Sequence, residues 1–164
     1  MSRAFVKEDG PDNAPLPDLP ISPHPNRVTP RGLAELKARL AGTQARLATL
    51  RARADRLDRL PEAAAERDIR YLEARIASAI PVDPATLALD EVAFGLAVTV
   101  EDETGRQTTW QITGEDEASA AEHRIAPQAP LARALLGARV GDEVTWLRPA
   151  GPVSLLITRI AQPG

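Results

Sequence analysis

Asp55 and Asp58 stand three residues apart in a stretch rich in arginine. On a helix that spacing puts both carboxylates on one face. There they could help hold Mg²⁺, which favours a few carboxylates together with water and phosphate oxygens. Ordinary surface ion pairs account for the same two acids, because Arg51 lies four residues before Asp55 and Arg59 four residues after it. A second acidic group, Glu115-Asp116-Glu117, follows Gly114. Three adjacent acids cannot all face one ion, so this group reads as a solvated turn. Nucleophilic catalysis has little to work with: there is no cysteine, and the two histidines, His24 and His123, fall in a proline-rich segment and a polar loop. GxGxxG, GxxxxGK[ST] and HExxH are all absent. A stand-alone enzyme is not expected.

The elements that must position these acids follow from periodicity. Residues 8–30 contain Pro11, Pro15, Pro17, Pro20, Pro23, Pro25 and Pro30. Proline lacks an N–H and fixes φ, so this segment is expected to be an extended, mobile arm, assigned to 1–28. Thr29-Pro30 is a helix start, with threonine as cap and proline at the first helical position. Leu33, Leu36, Leu40, Thr43, Leu47, Leu50, Ala54 and Leu57 then alternate spacings of three and four. That is a heptad seam, predicting a first helix of roughly 28 residues and about 40 Å. Pro61 ends it or opens the next helix, and Glu62 and Glu66 suit a helix N-terminus. Ile69, Leu72, Ile76 and Ala79 continue the seam until Pro81 and Pro84. Two such helices joined by a short turn form an antiparallel hairpin over 29–83, with Asp55 and Asp58 close to its turn.

Beyond Asp83 the period changes to that of strands. Residues 97–100 and 108–112 flank a Thr104-Gly105 turn, and 144–147 and 153–157 flank Pro149-Ala150-Gly151. Leu131 to Leu136 is a short helix with Gly137 at its end. Residues 91–164 therefore read as a small α+β domain with an antiparallel sheet. Charge divides the same way. Residues 31–59 carry eight basic and three acidic side chains, net +5, and residues 91–164 carry ten acids and six arginines, net −4. The basic stretch either lies beside a polyanion or simply solvates a helix. No apolar run approaches the ~20 residues that span a bilayer, and no secretory leader is visible, so a cytoplasmic protein without membrane contact is expected.

Several stretches also carry a family likeness. Ser2-Arg3-Ala4-Phe5-Val6-Lys7-Glu8, Val28-Thr29-Pro30-Arg31-Gly32, Val92-Ala93-Phe94-Gly95, Ile112-Thr113-Gly114-Glu115-Asp116-Glu117-Ala118, and Pro130 to Gly137 with Val140-Gly141-Asp142-Glu143-Val144 occur in order. They resemble the bacterial GreA/GreB transcription elongation factors. The resemblance implies an α+β chain: an antiparallel coiled-coil hairpin followed by an FKBP-like antiparallel β domain. It implies RNA polymerase as partner, met at the secondary channel by residues 91–164 through Glu115, Asp116, Glu117, Pro130, Leu131, Arg133, Leu136 and Gly137. It implies that Asp55 and Asp58 are tip carboxylates helping to place Mg²⁺ shared with the polymerase active site, with no cofactor of the chain's own. Arg46, Arg51 and Arg53 would then lie near nascent RNA within that complex, and a monomer is expected. Two departures stand out. The hairpin is about two turns per arm shorter than the family's, or roughly 10 Å of reach. The tip also lacks the family's GDLxENAxY wording. A cleavage-inactive channel binder that competes with longer Gre factors, and an FKBP-like interaction module unrelated to polymerase, are the alternatives. Isomerase activity is not expected, because no aromatic-lined pocket is foreseen from Phe94, Trp110 and Trp146.

Overall fold

The computed structural model describes residues 14–164, so residues 1–13 of the expected arm, with Ser2 to Glu8, lie outside the described residues. The chain forms two compact units. One takes the arm up to His24 and Leu36–Ala77, and the other takes Pro25–Glu35 and Ser78–Gly164. Among the described residues no helix is long and apolar enough to cross a membrane.

Helix α1 spans Pro30–Arg51 and helix α2 Leu60–Ala77. The Thr29 hydroxyl oxygen accepts from the Gly32 N–H at 2.9 Å, so the predicted cap is in place. The seam holds along α1: Leu36 and Leu47 are buried, Leu33, Leu40, Thr43 and Leu50 are half-buried, and 37–39 and 44–46 are exposed. The helix is shorter than predicted, 22 residues rather than 28, or about 33 Å. Its end is fixed by local bonds that compete with helix. The Leu50 carbonyl accepts from Arg53 N and from Arg53 Nε, while Asp55 and Asp58 each accept from a backbone N–H two residues on. Ala54 and Leu57 therefore leave the seam, and Leu57 is 91% exposed.

No residue of α2 from Pro61 to Leu72 is fully exposed. A hairpin partner covers one side of a helix only. The other cover is the arm, whose Leu16 carbonyl and Asp18 carboxylate both receive hydrogen bonds from Arg70. Residues 14–24 of the expected arm therefore lie along the hairpin, held at Leu16 and Asp18 by Arg70.

In the second unit, strand β1 (Arg27–Val28) pairs in parallel with β2 (Ile80–Pro81). The ladder uses Ile80 N–H to Asn26 O and Val82 N–H to Val28 O, both 2.8 Å, so Pro81 falls where no donor is needed. The main sheet contains β3 (Ala97–Glu101), β4 (Gln107–Ile112), β5 (Arg124–Ile125), β6 (Glu143–Arg148) and β7 (Gly151–Ala161), in the order β5-β4-β3-β7-β6. Both predicted hairpins are present. The sheet is mixed rather than antiparallel throughout, because β5 runs parallel to β4. Helix α3 (Pro130–Leu135) presses Leu131, Ala132 and Leu135 into a core with Val98, Ile112 and Ile157, all at or below 2% exposure. Gly137 follows at φ +81°, a conformation glycine adopts without Cβ strain.

Candidate functional site

The hairpin turn, residues 52–59, is where the structure places Asp55 and Asp58. Neither is on a helix, so the predicted shared helical face is corrected. Asp55 Oδ1 accepts from Leu57 N at 2.9 Å and Asp58 Oδ1 from Leu60 N at 3.0 Å. Both aspartates are exposed. The ion-pair alternative is not realised: Arg51 Nη2 instead reaches Glu66 Oε1 on α2 at 2.7 Å, and among the described residues neither aspartate is ion-paired.

The turn's own electrostatic centre is a residue that sequence reading treated only as a helix-start acid. Glu62 is 4% exposed and is gripped by both ends of the Arg56 guanidinium, Nε to Oε1 at 2.8 Å and Nη2 to Oε2 at 2.6 Å. This bidentate pair holds the Glu62 carboxyl below its ordinary range, the Arg56 hydrogen bond being the main cause. Arg53 adds a third contact, Nη2 to the Asp58 carbonyl at 3.2 Å. Of the three arginines predicted to lie near RNA, Arg51 and Arg53 are thus engaged within the hairpin. Arg46 has no carboxylate partner among the described residues. No group of three or more metal-ligating side chains is present among the described residues.

In the second unit the two acidic predictions separate. Glu115 and Asp116 are half-exposed. Glu117 is 4% exposed, so the solvated-turn reading is corrected for it, and it cannot serve as a docking side chain in this conformation. Its Oε2 accepts from the Thr29 hydroxyl at 2.6 Å. A Cβ on Gly32 would lie 2.6 Å from that same oxygen, and a Cβ on Gly114 would lie 2.6 Å from the Arg27 carbonyl oxygen. The Thr29-Pro30-Arg31-Gly32 and Gly114-Glu115-Asp116-Glu117 stretches, remote in sequence, therefore form one interlocked joint within this unit. The glycines were the available signal, since glycine inside a helix start costs stability unless something needs the space.

On α3 the predicted docking residues also divide by exposure. Pro130, Arg133, Leu136 and Gly137 are exposed, whereas Leu131 is 2% exposed and belongs to the core. Nearby, Trp110 and Trp146 meet edge to face at 6.3 Å between centroids. They line a hollow of about 110 Å³ with Thr108 and Val153, and the Arg148 guanidinium lies 5.4 Å above the Trp146 ring. The expectation of no aromatic-lined pocket is corrected. Two strands separate β4 from β6, which in a flat sheet means about 14 Å; the sheet curls enough for the rings to meet. His123 stays exposed as predicted, at φ 54°, with its ring 4.8 Å from Trp110.

Comparison with known proteins bears on this unit above all. Residues 87–162 match the family described as transcription elongation factor, GreA/GreB, C-term. Transcription elongation factor GreA of Sphingopyxis alaskensis is 40% identical over 95 residues, covering 58% of this chain and 60% of that protein. GreA of Thioalkalivibrio sulfidiphilus is 43% identical over 88 residues, covering 52% and 56%. The match thus spans about three fifths of the length of these relatives. The crystal structure of Thermus aquaticus Gfh1 is similar at 27% identity and a TM-score of 0.41, over 82% of this chain and 97% of that one. Residues 87–162 are thus similar to the C-terminal domain of the GreA/GreB transcription elongation factors.

Proposed function

We propose that this chain is a transcription elongation factor that binds RNA polymerase at its secondary channel, docking through the C-terminal domain. The observation that carries the reading is the GreA/GreB match over residues 87–162, which covers the whole main sheet and α3. Pro130, Arg133, Leu136 and Gly137 are the exposed docking candidates, joined by the half-exposed Glu115 and Asp116. Leu131 and Glu117 act indirectly, by holding the shape of that surface. The chain is an accessory factor with no nuclease centre of its own, and RNA is met only inside the polymerase complex. A pull-down with purified polymerase tests this. Retention comparable to an ordinary GreA supports it, and loss in Arg133→Glu/Leu136→Asp maps the surface. No retention at all favours an interaction module unrelated to polymerase.

At the tip, Asp55 and Asp58 fit a partly shared Mg²⁺ in one respect: both are exposed, and each commits only its Oδ1 to a backbone N–H. The metal would supply Lewis-acid chemistry within the polymerase active site. The protein's part is to hold two carboxylates at the end of a stiffened turn, with the Arg56–Glu62 clamp fixing that turn. Asp55→Ala/Asp58→Ala is then expected to abolish cleavage of backtracked RNA and leave polymerase retention intact.

One observation favours a second reading. Helix α1 ends at Arg51, about 33 Å from its start, shorter even than the seam predicts. A hairpin too short to reach would occupy the channel without promoting cleavage and would compete with longer Gre factors. A cleavage assay on a stalled, backtracked complex separates the two: no cleavage by the wild type, together with loss of GreA-stimulated cleavage on its addition, selects the competitor.

A further inference from the structure

The proline-rich segment has no role in the docking or tip chemistry above, yet it is built onto the hairpin. From residue 14 to 25, inward positions recur every third residue: Leu16, Leu19 and Ser22 are half-buried, and the residues between them are exposed. Three residues per turn is the period of a polyproline II helix, the conformation that closely spaced prolines favour. One edge of the segment lies on the hairpin.

The contacts are those of a ligand in a groove. Arg70 reads the segment twice, with Nη2 donating to the Leu16 carbonyl at 2.9 Å and Nε to Asp18 Oδ1 at 2.6 Å. Leu19 borders a hollow of about 330 Å³ whose walls come from both helices, Thr43 on α1 and Tyr71 and Leu72 on α2. Arg39, Arg46 and Asp68 also line it, so one aromatic and one aliphatic side chain sit among charged ones. Aromatic contacts beside hydrogen-bond donors are a general way for a groove to recognise a proline-rich strand.

We propose that this flank of the hairpin is a recognition groove for an extended peptide of the pattern apolar-Pro-acid-apolar, and that the chain's own Leu16-Pro17-Asp18-Leu19 is its resident occupant. The hold is light. The Asp18 and Arg70 side chains are 75% and 40% exposed, and pairs of that kind shift an equilibrium by about fivefold at most. A strand already in its bound conformation loses little entropy on docking, which compensates in part. The arm therefore exchanges between docked and free, and the groove opens to a segment of the same pattern from another chain.

The test uses the full chain and a labelled synthetic peptide spanning residues 14–25, titrated into the millimolar range because a tethered arm competes at about that effective concentration. Helicity by circular dichroism confirms that each variant keeps its hairpin. The expected result is peptide binding at least about fivefold tighter to Asp18→Ala/Leu19→Ser than to the wild type. Arg70→Glu added to that background is expected to weaken binding by about fivefold or more, and a peptide with arginine in place of its aspartate to recover it. Equal affinity for wild type and weakened-arm chains, binding that Arg70→Glu leaves unchanged, or no binding to either overturns the proposal. A wild-type dimer by sedimentation that Leu19→Ser dissolves would also overturn it, by placing the arm in the groove of a second copy.

Discussion

The hairpin turn and the joint at the start of α1 both rest on a buried carboxylate, and they use it in opposite ways. Glu62 is satisfied at both oxygens by one guanidinium, which leaves Asp55 and Asp58 on the same turn exposed and available. Glu117 takes a single short hydrogen bond from Thr29, its other oxygen is buried with no partner among the described residues, and Gly32 clears the space beside it. The turn is built to present charge. The joint is built to enclose it.

That contrast is most sharply broken at the joint. Gly114→Ala places a Cβ against the Arg27 backbone, which cannot move aside as a side chain would. Such overpacking costs about 1–3 kcal/mol, and a lowered urea midpoint with an unchanged slope would register it. Gly32→Ala meets the Glu117 side chain rather than backbone, so a smaller loss is expected, with Gly32→Ala/Glu117→Gln less than additive because the two positions touch.

At the turn the effect depends on pH. The folded Glu62 carboxyl lies below its unfolded value of about 4.5, so its contribution is complete above that pH and is lost as pH falls through the folded value. The urea midpoint of the wild type is expected to drop on acidification below about pH 4.5 by more than that of Glu62→Gln. Parallel curves for the two proteins would remove Glu62 from the centre of the turn. The smallest stability effect belongs to Asp55→Ala and Asp58→Ala, each about 0.5–1 kcal/mol for one lost cap-type bond. If the chain promotes cleavage through these two acids, a loss of that activity in the variants would exceed anything instability could explain.

The parts of the molecule readable from sequence are those set by periodicity. The α1 seam from Leu33 to Leu50, the two main hairpins, α3 and its glycine all rest on local patterns that the fold respects. The failures share a cause. Leu57 kept the seven-residue spacing, yet the aspartates beside it captured backbone N–H groups and ended the helix early. Prolines announced an extended arm, and nothing in their spacing could disclose that Arg70 would hold it. Trp110 and Trp146 meet only because of sheet curl, a property of several strands at once. Glu117 looked like its two acidic neighbours, and its burial depends on Thr29, 88 residues away. For the tip aspartates the position near the turn was legible, and the conformation was not.

The β1–β2 pairing has a consequence for how such a chain can be altered. Asn26 and Val28 bond to Ile80 and Val82, so the outgoing and returning strands are stitched together where the helical excursion begins and ends. Topologically the hairpin is an insert with a closed neck. Its length is then a free parameter: matched seven-residue blocks added to or removed from α1 and α2 leave the neck unchanged. Reach can be dialled by an engineer without redesigning the domain that carries it.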